Sequence, residues 1–94
     1  MNSMMGELLT VFPTTHLTLT AEKVFGNAGL NHRTIMKPRR ISSDCGLAIR
    51  LDLSQLDQAR ELVQSSGCLP ATFYQSVSGG WKPILHLEIP EGGN

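Results

Sequence analysis

Apolar residues recur along this chain at two spacings, one typical of strands and one typical of helices. Residues 7–12 form a short, mostly β-favouring apolar run that Pro13 ends, which predicts a strand. A stripe at the spacing of one helix face follows, made of Leu17, Ala21, Val24, Phe25 and Ala28. Thr14 or Thr15 can cap the start of that helix, and Gly29 is suited to the left-handed residue that ends it.

The second half of the chain contains further strands and one more helix. In chain order, the pattern predicts strands at 32–37 and 47–51, a helix over the stripe Leu56, Ala59, Leu62 and Val63, and strands at 71–77 and 84–89. Gly67 is suited to end the second helix, and Ser78-Gly79-Gly80 is a turn signal between the last two strands.

These elements follow the order βαββαβ with one added strand, and βαββαβ is the order of a ferredoxin-like sandwich. We therefore predict an α+β fold in which two helices cover one face of an antiparallel sheet, with a C-terminal β-hairpin arm. The 94 residues suffice for one domain and not two. Its core would span residues 7–77, its hairpin extension 78–89 and its loose tail 90–94.

Charge is balanced overall but unevenly placed. Eight basic and eight acidic residues cancel, so no strong overall field draws the chain to nucleic acid or to an anionic membrane. Half of the basic residues lie in one short stretch: Arg33, Lys37, Arg39 and Arg40. This cluster can attract an anion, a tRNA or an acidic partner, or it can be a solvated loop. Aromatic residues make up 5% of the chain and are missing from 47–51, which argues against RNA stacking on the sheet face.

Segments that would direct the chain to a membrane are not evident. No apolar run is long enough to span a bilayer, and residues 1–12 lack the basic residues of a signal peptide. We therefore expect a cytoplasmic protein in which Cys45 and Cys68 stay reduced, with Cys68 in the core because its setting is apolar. The sequence has no Cys-x-x-Cys pair and no histidine pair at ligand spacing, so it predicts no metal site, and it indicates no cofactor.

The candidate chemistry lies in the segment 38–46, PRRISSDCG. It places Cys45 in a polar loop, whereas chemically inert cysteines tend to be buried, so we expect an accessible thiol. In the predicted topology this loop lies at the sheet edge where the first helix begins. Cys45 would then lie close to Thr14, Thr15 and His16. The free N–H groups and partial positive charge of a helix N-terminus stabilise a thiolate.

Neighbouring residues would act on this thiol in different directions. Arg39 and Arg40 would add positive charge, and His16 is a candidate proton partner or hydrogen-bond donor. Asp44 works against them, because a nearby carboxylate favours the neutral thiol. Gly46 leaves room for a bulky group to approach the sulfur, or it only turns the chain into the next strand.

Two runs, FPTTHLTLTAEKVF and MKPRRISSDCGLAIRLD, together resemble the selenium/sulfur carrier-like family of small bacterial and archaeal proteins. The resemblance covers about residues 7–67. The positions that carry it are Phe12, Thr14, Thr15, His16, Glu22, Pro38, Arg39, Ser42, Ser43, Cys45 and Gly46. The segment from Gly79 onward, including Trp81, lies beyond the compact unit of that family.

The resemblance implies that Cys45 holds sulfur or selenium as a persulfide or selenopersulfide and passes it to an acceptor protein. A cysteine desulfurase-type enzyme would be the donor. The residues that we expect to bind cargo or partner around Cys45 are Thr14, Thr15, Arg39, Arg40 and Ser43. The sequence fixes no second catalytic group, which favours a carrier over an enzyme.

Other functions stay open at this point. A small domain of this fold can be a ligand-sensing or protein-interaction module without thiol chemistry, because fold alone does not fix function. An exposed strand edge near the C-terminal arm also makes a homodimer a candidate assembly.

Overall fold

The structure, a computed structural model, describes residues 6–91. It contains two α-helices and one five-stranded antiparallel sheet, so the predicted α+β class is confirmed. In chain order the elements are β1 (Glu7–Val11), α1 (Thr15–Asn27), β2 (His32–Met36), β3 (Leu47–Asp52), α2 (Leu56–Ser66), β4 (Ala71–Val77) and β5 (Gly80–Leu87). Residues 1–5, and residues 92–94 of the predicted tail, lie outside the described residues.

The sheet order is β2-β3-β1-β4-β5, with β1 in the middle. Alternate residues of a strand face opposite sides, and β1 is buried on both of them. Leu8 and Phe12 belong to a cluster that includes residues of both helices, so α1 and α2 cover the same face. Leu9 and Val11 belong to a second cluster on the opposite face, which we call the open face.

Helix α1 begins where its cap predicts. The Thr14 side chain accepts a hydrogen bond from the Leu17 backbone N–H at 3.1 Å, which satisfies one of the free donors of the first turn. The predicted stripe is wrong at Ala28, which follows the last helical residue and is exposed. Thr18 is fully buried in the helix instead, and a polar residue in that position points to a local hydrogen-bond network.

Strand β5 begins at Gly80 and ends at Leu87, whereas the sequence predicts a strand over 84–89. Pro83 lies inside it, which an edge strand tolerates because an N–H on its outer side has no partner within the sheet. The register against β4 shifts between Phe73 and Tyr74, as in a β-bulge. The shift also interrupts the predicted alternation. Two consecutive residues, Ile84 and Leu85, therefore pack against the helix-side cluster.

The connection between β2 and β3, residues 37–46, is here called the cysteine loop. It closes on itself through a 2.8 Å hydrogen bond from the Lys37 backbone N–H to the Gly46 carbonyl. Ile41 in its middle is buried in the open-face cluster with Leu9 and Val11. The loop therefore covers part of the open face, which its polar sequence alone does not predict.

Candidate functional site

The end of the cysteine loop meets the first turn of helix α1. Cys45 lies just ahead of β3, and its Sγ is 3.3 Å from Thr18 Oγ1 and 3.7 Å from Thr15 Oγ1. The expected proximity of Cys45 to the start of the first helix is therefore observed at Thr15. Thr15 and Thr18 are three residues apart, so they share one side of the helix and both reach the sulfur.

Backbone groups complete the surroundings of the sulfur. The Leu47 N–H donates to Cys45 Sγ at 3.3 Å, and a protonated thiol can donate to the Leu47 carbonyl at 3.5 Å. The side chain is enclosed by these groups: only 2% of Cys45 is exposed. The expectation of an accessible thiol is wrong for this conformation, because the loop folds its polar residues outward and its cysteine inward.

The surroundings favour the ionised form of this enclosed thiol. Burial raises the pKa of Cys45, but hydrogen bonds from Thr18, from the Leu47 N–H and from Thr15 lower it, as does the positive charge of Lys37. The net result is a pKa below the ordinary value of a cysteine. The charge that contributes is that of Lys37 rather than those of Arg39 and Arg40, which are exposed on the loop.

Thr18 has one hydroxyl proton and two neighbours that can accept it. Its Oγ1 lies 3.0 Å from the Thr14 carbonyl and 3.3 Å from Cys45 Sγ. When the sulfur is a thiol, the hydroxyl can donate to the Thr14 carbonyl and accept from S–H. When the sulfur is a thiolate, the hydroxyl is needed as a donor to sulfur. A rotation of one O–H bond therefore accompanies ionisation.

Ser43 ties the loop to the central strand. Its Oγ donates to the Phe12 carbonyl at 3.1 Å and accepts from the Cys45 N–H at 3.3 Å. One hydroxyl thus joins the end of β1 to the backbone of the cysteine. This places Ser43 as a positioning group for Cys45.

The other predicted site residues lie around this centre without contacting the sulfur. His16 is exposed on α1, where it borders a depression with Leu19 and Lys23, and no hydrogen bond joins it to Cys45 in residues 6–91. Asp44 is exposed beside Ser43. Gly46 is exposed, and a Cβ added to it would meet no atom within 4 Å. Steric crowding within the protein therefore does not require a glycine at position 46.

A cavity of about 300 Å³ opens beside the loop, on the wall formed by Ser43 and Asp44. His86 contributes to it from β5. The imidazole has Thr72 Oγ1 2.7 Å from Nδ1 and Glu88 Oε2 2.6 Å from Nε2, so it joins the neighbouring strands β4 and β5. These contacts give His86 a structural role that its isolated position in the sequence does not indicate.

The second cysteine lies in the core of the protein. Cys68 is buried in the helix-side cluster and accepts a hydrogen bond from Ser66 Oγ at 3.2 Å. Within residues 6–91, no three side chains of His, Cys, Asp or Glu come together as a metal site. In the same range, neither helix is long and apolar enough to cross a membrane.

A family model described as "Putative Se/S carrier protein-like" matches residues 7–75. The chain belongs to this family. The match extends past the resemblance at 7–67 and ends within β4, so it includes Cys45 and both threonines beside it. No curated protein and no solved structure matches the chain.

Sequence reasoning on this Se/S carrier-like protein missed Thr18, the Leu47 N–H and Ile41. The signal for Thr18 is present in the sequence, since it follows Thr15 by three residues on a predicted helix whose first turn faces the loop. The Leu47 N–H has no such signal, because every residue except proline offers a backbone donor. Ile41 is the one large apolar residue between Pro38 and Cys45, which is a usable signal for an anchored loop.

Proposed function

We propose that this protein is a sulfur or selenium carrier that holds the chalcogen on Cys45 and relays it to an acceptor protein. The observation that carries the proposal is the set of hydrogen bonds that Thr18, the Leu47 N–H and Thr15 make with Cys45 Sγ, which lowers the pKa of the thiol. A thiolate is the nucleophile in sulfur exchange, and a lowered pKa favours its formation. Membership of the Se/S carrier-like family supports the same role.

The transfer would proceed by two exchanges at sulfur. The Cys45 thiolate attacks the outer sulfur of a donor persulfide, R–S–SH, forming Cys45–S–SH while the donor sulfur leaves as R–S⁻. A nucleophile of the acceptor then attacks that outer sulfur, and the Cys45 thiolate leaves. One sulfane sulfur atom moves in each step, so no external oxidant or reductant is needed. For selenium, a selenopersulfide would take the place of the persulfide.

The proposal also includes the ferredoxin-like topology, the cellular compartment and the type of donor. The sheet order β2-β3-β1-β4 around two helices on one face supports a ferredoxin-like unit, with β5 as an added edge strand. Two free cysteines fit a reducing compartment, and we propose the cytoplasm. The donor would be an enzyme of the cysteine desulfurase type. The family description supports partner proteins in general, and the desulfurase type of the donor is what the resemblance to the family implies.

The test is to incubate the purified protein with a cysteine desulfurase and cysteine and to weigh the intact protein under non-reducing conditions. We expect a gain of one sulfur atom that a thiol reductant removes. The Cys45→Ser variant should show no gain, and the Cys68→Ala variant should gain as the unchanged protein does. The same series with selenocysteine compares the two chalcogens.

A gain carried equally by Cys68, or no gain with enzymatic and small-molecule donors, would contradict the carrier role. The ligand-sensing module would then be the better account. It would be examined by screening small anions against the basic cysteine loop, with Cys45→Ser expected to bind them as the unchanged protein does.

A further inference from the structure

A groove of about 320 Å³ runs across the open face between the cysteine loop and the turn that joins β4 to β5. Arg40 and Ile41 line one wall, and Gly79 lies on the opposite wall. Tyr74 and Trp81 provide aromatic surface between them, and both side chains are half-buried. We call this the aromatic groove.

Arg40 is positively charged. Among the residues that the structure describes, its side chain makes one hydrogen bond, and the acceptor is a neutral group. Its Nη1 donates to the Gly79 carbonyl at 3.2 Å, and within residues 6–91 no carboxylate lies at ion-pair distance from it. A guanidinium binds a carboxylate more strongly than it binds a carbonyl, and it can do so with two parallel hydrogen bonds. A carboxylate from another molecule would therefore compete for Arg40 and release the β4–β5 turn.

The same part of the loop leads directly to Cys45. Ile41 directly follows Arg40 and is buried against Leu9 and Val11, while the Lys37 ammonium donates to the Ile41 carbonyl at 2.5 Å. Cys45 is only four residues further on, and Ser43 between them is bonded to both the strand and the cysteine. Because this segment is short and is bonded at Ile41, Ser43 and the Cys45 N–H, a movement of Arg40 and Ile41 would be transmitted to the backbone of Cys45.

We infer that the sulfur donor docks in the aromatic groove through an acidic side chain that pairs with Arg40, and that this docking lifts the cysteine loop and exposes Cys45. The inference rests on the proposed function, because a buried thiol must be uncovered before a protein persulfide can reach it. The occupant is the donor rather than the acceptor, since the enclosed side chain is the unloaded thiol, which the donor meets first. Apolar side chains next to the acidic group would contact Tyr74 and Trp81.

The first experiment measures the rate at which Cys45 is loaded by the desulfurase that loads the unchanged protein. Arg40→Glu should slow loading about tenfold or more, because it puts like charges at the contact. Arg60→Glu is the matched control, since its side chain is exposed on α2, does not line the groove and should change the rate far less. Added salt should slow loading of the unchanged protein and have little further effect on Arg40→Glu.

A small persulfide source, inorganic polysulfide, separates docking from chemistry. It should load Arg40→Glu at least as fast as the unchanged protein. Equal desulfurase rates for Arg40→Glu and the unchanged protein would overturn the inference, as would loading by polysulfide but by no desulfurase; both outcomes leave the carrier function in place. Loading by neither source would remove the carrier function itself.

The second experiment tests directly whether the anchored loop keeps Cys45 enclosed. Ile41→Ala removes the apolar anchor, so iodoacetamide should alkylate Cys45 severalfold faster than in the unchanged protein. Ile41→Val, which keeps most of the anchor, should lie between the two and guards against a folding defect in the alanine variant. Alkylation rates that are the same in all three proteins would contradict the claim that the loop anchor encloses the thiol.

Discussion

The Thr18 side chain is polar, fully buried and hydrogen-bonded on two sides. Its hydroxyl proton is shared between the Thr14 carbonyl and the Cys45 sulfur. A buried hydroxyl of this kind contributes to reactivity by donating to the thiolate without any movement of the backbone. Thr18 therefore links the helix cap to the nucleophile.

Replacing Thr18 tests that link. Thr18→Val keeps the side-chain shape and removes the donor, so the pKa of Cys45 should rise and alkylation at neutral pH should fall about fivefold, as for the loss of one hydrogen bond of ~1 kcal/mol. The measurement is the pH profile of alkylation, whose midpoint should move to higher pH. Thr18→Ser should keep the profile of the unchanged protein. A profile that Thr18→Val leaves in place would show that the hydroxyl has no such role.

The same thiol makes folding stability depend on pH. The pKa of Cys45 is lower in the folded chain than the ordinary thiol value of 9.0, so the unfolded state binds more protons at pH values between the folded and the unfolded pKa. The stabilisation is complete above the unfolded pKa and is lost as pH falls through the folded pKa.

Urea unfolding under reducing conditions, compared with Cys45→Ala, isolates this contribution. The difference in free energy of unfolding between the unchanged protein and the variant should increase from pH 6 to pH 9. A difference that stays constant across this range would contradict the lowered pKa.

At the scale of elements, the β4–β5 hairpin depends on one turn. Gly79 has a φ of 86°, in the left-handed region that residues with side chains disfavour. Its carbonyl accepts a hydrogen bond from the Arg40 side chain. Gly79→Ala should lower the free energy of unfolding by ~1–2 kcal/mol. Gly46→Ala is the matched control, because its added Cβ meets no atom within 4 Å, and it should leave stability unchanged. Urea unfolding of both variants checks the pair.

The elements themselves follow mostly from local sequence. The Thr14 cap, Gly67 in its left-handed conformation and the strand at 71–77 lie where the pattern predicts them. The start of β5 does not, because Pro83 argues against a strand unless the segment is known to lie at the sheet edge. The burial of Ile41 and Cys45 depends on contacts with β1 and α1 that are distant along the chain. The apolar Ile41 indicates that the loop is anchored, but no local pattern encodes that the Cys45 side chain turns toward α1.

At the scale of the whole molecule, the cysteine loop connects the two clusters. Ile41 packs on the open face, Cys45 bonds to helix α1, and Ser43 holds the backbone between them to the end of β1. The loop therefore passes around the end of the central strand from one face to the other.

The free edge of β5 bears on the predicted homodimer. Self-pairing would use the free edge of β5, and this edge carries Pro83 and a register shift against β4. Proline and bulges both discourage pairing between strand edges. We therefore expect a monomer at micromolar concentration, measured by light scattering with size-exclusion chromatography. A stable dimer would contradict this expectation, and the free edge of β2 would be the next surface to examine.

The enclosure of Cys45 also has a consequence for oxidative damage. Peroxide converts exposed thiolates to sulfenic acid and then to irreversible oxides, and ionised cysteines are the most susceptible. A thiol that is 2% exposed combines a lowered pKa with shelter from dissolved oxidants. The resting protein should therefore survive an oxidative episode with its cysteine still able to react once a partner uncovers it.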